Sequence, residues 1–336
     1  MAIEREAEEE AEDVEAAESE DKAAAGDELA ELAGVGDKTA QKLREAGYTD
    51  MMAIAAASAG ELSAACGIGD DTANKIIASA REKLHMGFES AASVMKKRAN
   101  VGKITTGSKA LDDILGGGIE TQSILEAYGA FGSGKSQLAH QLAVNVQMPR
   151  DKGGLAGKAL FIDTEGTFRP QRIIDMAEGL GLDPKKALDN VLFARAYNSD
   201  HQVLLVEKAE DIIKKEGIRL IIVDSITSSF RADYTGRGTL ASRQQKLNRH
   251  LHKLQKLADV YNLAIYVTNQ VMSRPDILFG DPTAPIGGHI LGHQATYRVY
   301  LRKSKAEKRI AKLIDSPSLP ENETVFKVVK EGIRDI

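Results

Sequence analysis

From about residue 100 onward, short apolar runs rich in β-branched residues alternate with stretches whose apolar positions recur every three or four residues. The runs are Ser123 to Tyr128, Ala159 to Asp163, Val191 to Ala194, Leu220 to Asp224, Ala264 to Thr268 and Tyr297 to Arg302. Parallel strands need long crossovers and burial on both faces, so this alternation predicts a mainly parallel sheet covered by helices on either side. Residues 28 to 85 read differently, as an Ala-rich, wholly helical segment that repeats itself. Leu32-Ala33-Gly34-Val35-Gly36-Asp37-Lys38-Thr39-Ala40 returns 33 residues later as Ala65-Cys66-Gly67-Ile68-Gly69-Asp70-Asp71-Thr72-Ala73. A Gly-apolar-Gly turn between two short helices permits φ > 0 and leaves the first amides of the second helix open to a phosphate.

Length and composition sharpen this picture. A chain of 336 residues is long enough for one large core with an appendage. With Cys66 the single cysteine and no Trp, disulfide frameworks and cysteine-based zinc sites are excluded. No run of eighteen apolar residues occurs and the first residues are acidic, so the expectation is a soluble cytoplasmic protein with no membrane partner. Residues 1 to 22 hold eleven acids against Arg5 and Lys22, so the net charge of -5 becomes +4 for the remainder. A nucleic-acid partner is therefore compatible with the folded part. The expected organisation is an acidic disordered tail (1–27), a helical DNA-binding domain (28–85), a linker (86–100) carrying Phe88-Glu89-Ser90-Ala91 and the basic residues Lys96, Lys97 and Arg98, and the α/β core (101–336).

The duplicated hairpin resembles a tandem helix-hairpin-helix module, a family of sequence-independent duplex DNA binders. Gly34, Gly36 and Lys38 then form the first phosphate contact. Asp71 stands where the second copy would need a cation, so the first hairpin is expected to be the stronger contact.

The clearest chemical signal is Gly129-Ala130-Phe131-Gly132-Ser133-Gly134-Lys135-Ser136, which fits G-x-x-x-x-G-K-[ST] between a predicted strand and a predicted helix, Gln137 to Gln147. In such a loop backbone amides wrap phosphates, Lys135 reaches the β and γ phosphates of ATP, and Ser136 ligates Mg²⁺. Asp224 ends an apolar strand, where a Mg²⁺-water ligand is needed. Glu165 lies just past another strand end and is a candidate to deprotonate the attacking water. Gln270, after a fifth strand, can touch a γ-phosphate without adding negative charge. Val271 to Pro285 reads as a long loop without periodicity, and a second loop runs from Ser229 through Arg231, Tyr234 and Arg237. Lys246, Arg249, Lys253 and Lys256 share one arc of the following helix, opposite Leu247, Leu251 and Leu254. That arc is either a solvated face or a groove that tracks a DNA strand.

Together the phosphate loop, Asp163-Thr164-Glu165-Gly166-Thr167-Phe168-Arg169-Pro170, Tyr234-Thr235-Gly236-Arg237-Gly238, Asn269-Gln270 and the stretch from Gly287-Gly288-His289-Ile290 to Asp315-Ser316-Pro317 resemble the archaeal branch of the RecA-like strand-exchange family. The resemblance runs from about residue 28 to the C-terminus. It implies a RecA-like P-loop ATPase core that assembles as an ATP-dependent filament on single-stranded DNA, finds homologous double-stranded DNA and exchanges strands. It further implies that Arg172 meets the adenine, that Gln270 senses the γ-phosphate with help from His293, and that Arg231, Arg237 and residues 271–285 contact the single strand. Asp315 and Pro320 would cap the ATP of a neighbouring protomer, and Phe88 and Ala91 would form the tether that docks one subunit into the next. Ala130 and Gln171 each stand where the family usually has Glu, and Ser304-Lys305-Ala306-Glu307 replaces a more Gly-rich turn. None of these departures removes a phosphate or metal ligand. Two further readings stay open on sequence alone: an accessory relative that regulates the recombinase, and a ring-forming ATPase on the same core.

Overall fold

The computed structural model describes residues 29–84, 86–273 and 283–336. The acidic tail and the middle of the expected second DNA loop lie outside the described residues. The chain divides into two compact units, Met1–Lys96 and Lys97–Ile336.

The first unit contains helices α1 (Asp37–Glu45), α2 (Met51–Ala55), α3 (Ala59–Cys66) and α4 (Asp70–Lys83). Leu29, Leu32, Leu43, Ile54, Leu62 and Ile76 close its core, with Cys66 buried among them. Burial pushes the Cys66 thiol pKa up. Start signals are local: Asp50 accepts from the Ala53 amide at 2.7 Å, and Ser58 and Glu61 form a reciprocal capping box. The two repeat glycines divide the labour. Gly34 and Gly67 take positive φ of +88° and +57°, whereas Gly36 and Gly69 sit extended at the N-caps of α1 and α4 with no side chain capping them. The following helix, α5 (Ala91–Arg98), has no buried residue.

The second unit is built on a nine-stranded sheet. Its elements are β1 (Lys103–Ile104), α6 (Lys109–Ile114), β2 (Ile119–Glu120), β3 (Ser123–Tyr128), α7 (Lys135–Asn145), β4 (Lys158–Asp163), α8 (Pro170–Glu178), α9 (Pro184–Asp189) and β5 (Val191–Arg195). There follow α10 (Ser199–Glu216), β6 (Ile218–Asp224), α11 (Ser228–Asp233), α12 (Leu240–Tyr261), β7 (Ala264–Asn269), β8 (Val271–Ser273), β9 (Thr283–Pro285), α13 (Gly288–Gln294), β10 (Tyr297–Lys303), β11 (Lys308–Asp315), β12 (Asn322–Val329) and β13 (Gly332–Arg334). The sheet order is β13-β12-β11-β10-β3-β7-β6-β4-β5. Pairing is parallel from β10 through β5 and antiparallel from β10 to β13.

Successive side chains of a strand face opposite ways, and here they feed two cores. Phe161 packs with Leu138, Leu142, Ile173 and Met176 of α7 and α8, while Leu160 and Ile162 pack with Val206, Ile213, Leu251 and Leu254 of α10 and α12. Each such side chain contributes about 1.5–3 kcal/mol by leaving water. Truncating the fully buried Leu251 to Ala would cost roughly 2–5 kcal/mol.

The six apolar runs all become strands, and α7 begins two residues earlier than its apolar period suggested, at Lys135. Of the three antiparallel strands, β11 and β12 escape a search for apolar runs because they are half-exposed and charged, and β13 because it is only three residues long. In β11, Lys308 is exposed while Ala311 and Leu313 are buried. The stretch read as a loop from 271 to 285 has paired ends, Val271 against Pro285 and Ser273 against Thr283. In the turn before β11, Ala306 holds a left-handed φ of +53°, a conformation costing a non-glycine residue roughly 1 kcal/mol or more.

Candidate active site

The parallel strands β3, β4, β6 and β7 end along one edge, the edge where open α/β sheets carry their ligands. β3 runs into the loop Gly129–Gly134. A Cβ on Gly129 would lie 2.1 Å from the Leu301 carbonyl oxygen, so only glycine allows the loop to pass β10 this closely. Gly134 takes φ +107° and serves as the N-cap of α7 without any capping side chain. The first-turn amides of α7 are thus left for an anion.

Lys135 folds back over this loop, donating to the carbonyls of Gly129 at 2.8 Å and Ala130 at 3.1 Å. Its ammonium is desolvated, which lowers its pKa, while the charges of Asp224 and Glu165 oppose that shift. From beneath, the fully buried Tyr266 donates its hydroxyl to the Lys135 carbonyl at 2.9 Å and ties the start of α7 to β7. Burial, with the Asp224 charge adding to it, holds the Tyr266 phenol well above its ordinary range.

At the end of β4, Asp163 is 1% exposed and organises the turn that follows. Its carboxylate accepts from the amides of Glu165 at 2.9 Å, Gly166 at 2.7 Å and Phe168 at 3.1 Å, and from Arg195 at 3.0 Å. Glu165 consequently projects outward, where Gln270 Nε2 donates to its Oε1 at 2.7 Å. Asp163 and Asp224 are register partners across β4 and β6. Asp224 accepts from the hydroxyls of Thr268 and, at 3.5 Å, Thr167.

His140, one turn into α7, is buried against Phe161 and Phe168. Its Nδ1 meets the Ser136 carbonyl at 2.6 Å and its Nε2 accepts from the Arg169 amide at 3.2 Å. Those two partners require the neutral Nδ1–H tautomer, and desolvation correspondingly pushes the His140 pKa down. Arg172 donates from Nε to Gln137 at 2.6 Å and from its terminal nitrogens to the carbonyls of Val329 and Lys330.

Beside these groups opens a cleft of about 740 Å³, within the usual range for a small-molecule site. Gly129, Ala130, Phe131, Gly132, Gly134, Lys135, Ser136, Gln137, Glu165, Arg172, Asp224 and Gln270 all border it. Ser133 lies beneath the loop, its hydroxyl buried and without a partner. His293 is exposed near the end of α13, Asp315 is exposed at the end of β11 and Pro320 in the segment after it; none of the three borders the cleft of its own chain. His140, Thr167, Arg169, Thr268, Arg309 and Val328 border it too, and none of them carries a role in the site on sequence alone. Arg309 and Val328 come from the antiparallel strands, so only the sheet order brings them here.

Arg231 is exposed on α11, and Arg237 opens the 3₁₀ turn Arg237–Thr239. Two of the four cations in the basic arc of α12 are paired with α10: Lys246 with Asp200 at 2.6 Å and Lys253 with Glu210 at 2.9 Å. Gly34, Gly36 and Lys38 are exposed on the first unit. Phe88 and Ala91 are also exposed. No described helix is long and apolar enough to cross a membrane.

The sequence profile of the Rad51 family matches residues 97–336. The chain belongs to the Rad51 family. A SAM-like helix-hairpin-helix tandem profile matches residues 26–82, so this member carries the helical module ahead of its Rad51 domain. The chain is 55% identical over 308 residues to the "DNA repair and recombination protein RadA" of Aeropyrum pernix, covering 92% of this chain and 97% of that protein. It is likewise 55% identical over 306 residues to the protein of the same name from Metallosphaera sedula, covering 91% of this chain and 94% of that one.

Proposed function

We propose that this Rad51-family chain is a cytoplasmic ATP-hydrolysing DNA recombinase. In this reading it assembles on single-stranded DNA and exchanges that strand with homologous duplex in recombinational repair. The observation that carries the reading is the meeting of Glu165 and Gln270 at 2.7 Å in the same cleft as Lys135, Ser136 and Asp224. An anion-binding helix start, a cation, a carboxylate free to take a proton and a second carboxylate at a neighbouring strand end are the parts that nucleotide hydrolysis requires.

The residues fit a Mg²⁺-nucleotide. The uncapped start of α7 and Lys135 supply the donors for phosphate oxygens, and Ser136 with Asp224 would hold the ion. Among the described residues no group of three or more His, Cys, Asp and Glu is arranged to hold a metal. That agrees with an ion retained chiefly by phosphate and water. When bound, Mg²⁺ neutralises charge developing on the phosphates. Glu165, fixed by Gln270, would orient the attacking water and accept its proton, and Arg172 would lie against the base. Asp315, Pro320 and His293 face outward and would serve the site of the next protomer, docked through Phe88 and Ala91. Arg231, Arg237 and the segment 271–285 would hold the single strand. Gly34, Gly36 and Lys38 would meet duplex phosphates.

A strand-exchange assay with ATP tests this reading. Joint molecules are expected with homologous duplex, none with heterologous duplex, and none from Lys135→Ala. Pairing that is indifferent to homology or to ATP would overturn it.

A further inference from the structure

Asn269 ends β7 next to Gln270 and is fully buried. Its side-chain amide donates to Glu126 Oε1 at 2.7 Å and to the Ile286 carbonyl at 2.6 Å, while its Oδ1 accepts from the Thr227 hydroxyl at 2.7 Å. Its own carbonyl accepts from the Gly129 amide at 3.3 Å. One residue thus touches the first residue of the phosphate loop, Thr227 at the N-cap of α11, and Ile286 just beyond β9. Thr227 and Ile286 are the roots of the two segments assigned to DNA. Glu126 is itself fully buried and held by Arg298 Nε at 2.7 Å, so the acceptor side of the network is fixed by β3 and β10.

Both Nδ2 hydrogens of Asn269 are used, and Thr227 holds its Oδ1. Both donated bonds leave from one nitrogen at a fixed angle, so Asn269 cannot turn toward Thr227 without losing Glu126 or Ile286. A buried polar group that loses a partner is costly, so such a network moves as a unit or breaks. We propose that Asn269 is a positioning residue that couples the phosphate loop to the roots of both DNA-binding segments, the coupling running through its bonds to Thr227 and Ile286. This rests on the strand-exchange reading and adds to it a path separate from Gln270, whose side chain points to Glu165 instead. A displacement of Gly129 drags the Asn269 backbone, and the Asn269 amide carries the displacement to α11 and β9 together.

The test uses Thr227→Val, which keeps the side chain's shape and removes only the hydroxyl, beside Thr227→Ser, which restores it. ATP hydrolysis by the full chain is measured without DNA and across a titration of single-stranded oligonucleotide. For Thr227→Val the maximal stimulation is expected to fall about fivefold or more, at the lower end of ordinary coupling between sites. The DNA-free rate and the oligonucleotide concentration for half-stimulation should each stay within about twofold, because neither site has lost a ligand group. Thr227→Ser should recover the stimulation. Asn269→Leu, with its thermal unfolding recorded alongside, should lose stimulation too. If the wild-type chain is not stimulated, the strand-exchange reading fails and the coupling with it. If the wild type is stimulated and Thr227→Val equally so, or if both of its rates drop together, the coupling alone is overturned.

Discussion

Gln270 Nε2 donates to Glu165 Oε1 at 2.7 Å, joining two residues 105 positions apart in the chain. Glu165 follows β4 and Gln270 follows β7, and β6 lies between those strands in the sheet. The contact spans one strand and closes over Asp224 at the end of β6. Glu165→Gln should leave ATP binding intact and slow hydrolysis by about 10²–10⁴-fold, since only the proton acceptor is removed. Lys135→Ala should abolish binding. A fluorescent ATP analogue and single-turnover hydrolysis separate the two outcomes; equal loss of binding in both variants would remove Glu165 from its role.

Asp163 governs Glu165 from below through the three amides and Arg195 it holds. Asp163→Ala strands those donors and leaves the Arg195 charge without its partner. The expected loss of stability is about 3 kcal/mol, read from urea unfolding, with hydrolysis reduced even where the protein stays folded. An unchanged midpoint and rate would mean the turn is held by other contacts.

Acid sensitivity should trace to His250. It is 2% exposed, receives an amide hydrogen from Gln202 at 3.2 Å, and is pushed down to about 4 by burial and, to a lesser degree, by the Lys246 charge. A histidine that stays neutral in the fold stabilises it fully above its unfolded pKa of about 6.5. Below that value the unfolded chain takes up the proton first, so stability falls as pH drops from about 6.5 toward 4. Between pH 7.5 and pH 5 this group alone should cost about 2 kcal/mol, and the downward shift of His140 adds in the same direction. Urea unfolding at the two pH values checks the sum, and His250→Gln should flatten most of the slope.

Phe88 stands at 112% relative exposure in a single chain. Burying it on a neighbour would contribute about 1.5–3 kcal/mol per contact. Phe88→Glu should therefore yield small species by light scattering while nucleotide binding persists. Full-length filaments from this variant would exclude the residue as a tether.

The two DNA surfaces should separate by truncation. Removing residues 1–85 takes away Gly34, Gly36 and Lys38 and should weaken duplex capture while sparing most of the hydrolysis stimulated by single strands. Arg237→Ala should do the reverse. Fluorescence anisotropy at two salt concentrations reads both, because each phosphate contact adds to the salt slope. A truncation that lost single-strand binding would exchange the two assignments.

Features written in contiguous residues were legible in the sequence. The phosphate loop needs only its glycines, Lys135 and Ser136 and the strand and helix beside it, and the duplicated hairpin needs only nine residues twice. Strands β3, β4, β6 and β7 announce themselves because burial on both faces demands nearly unbroken apolar runs, while β5 and β10 are only partly buried and show through their β-branched and aromatic content. Tertiary structure decided the rest, for want of any local signal. β11 and β12 are half-exposed, so their sequences mix apolar residues with charge, yet they bring Arg309 and Val328 to the cleft. Lys246 and Lys253 look like a free basic face until α10 places Asp200 and Glu210 against them. Asp163 ends a strand in the sequence, and it becomes the centre of the turn that carries Glu165 because the chain folds back around it. Asn269 meets Gly129, Thr227 and Ile286 because the order β3-β7-β6 sets three distant chain segments side by side. Hydrogen bonds act over about 3 Å of space whatever the separation along the chain, so strand order, not sequence spacing, selects those partners.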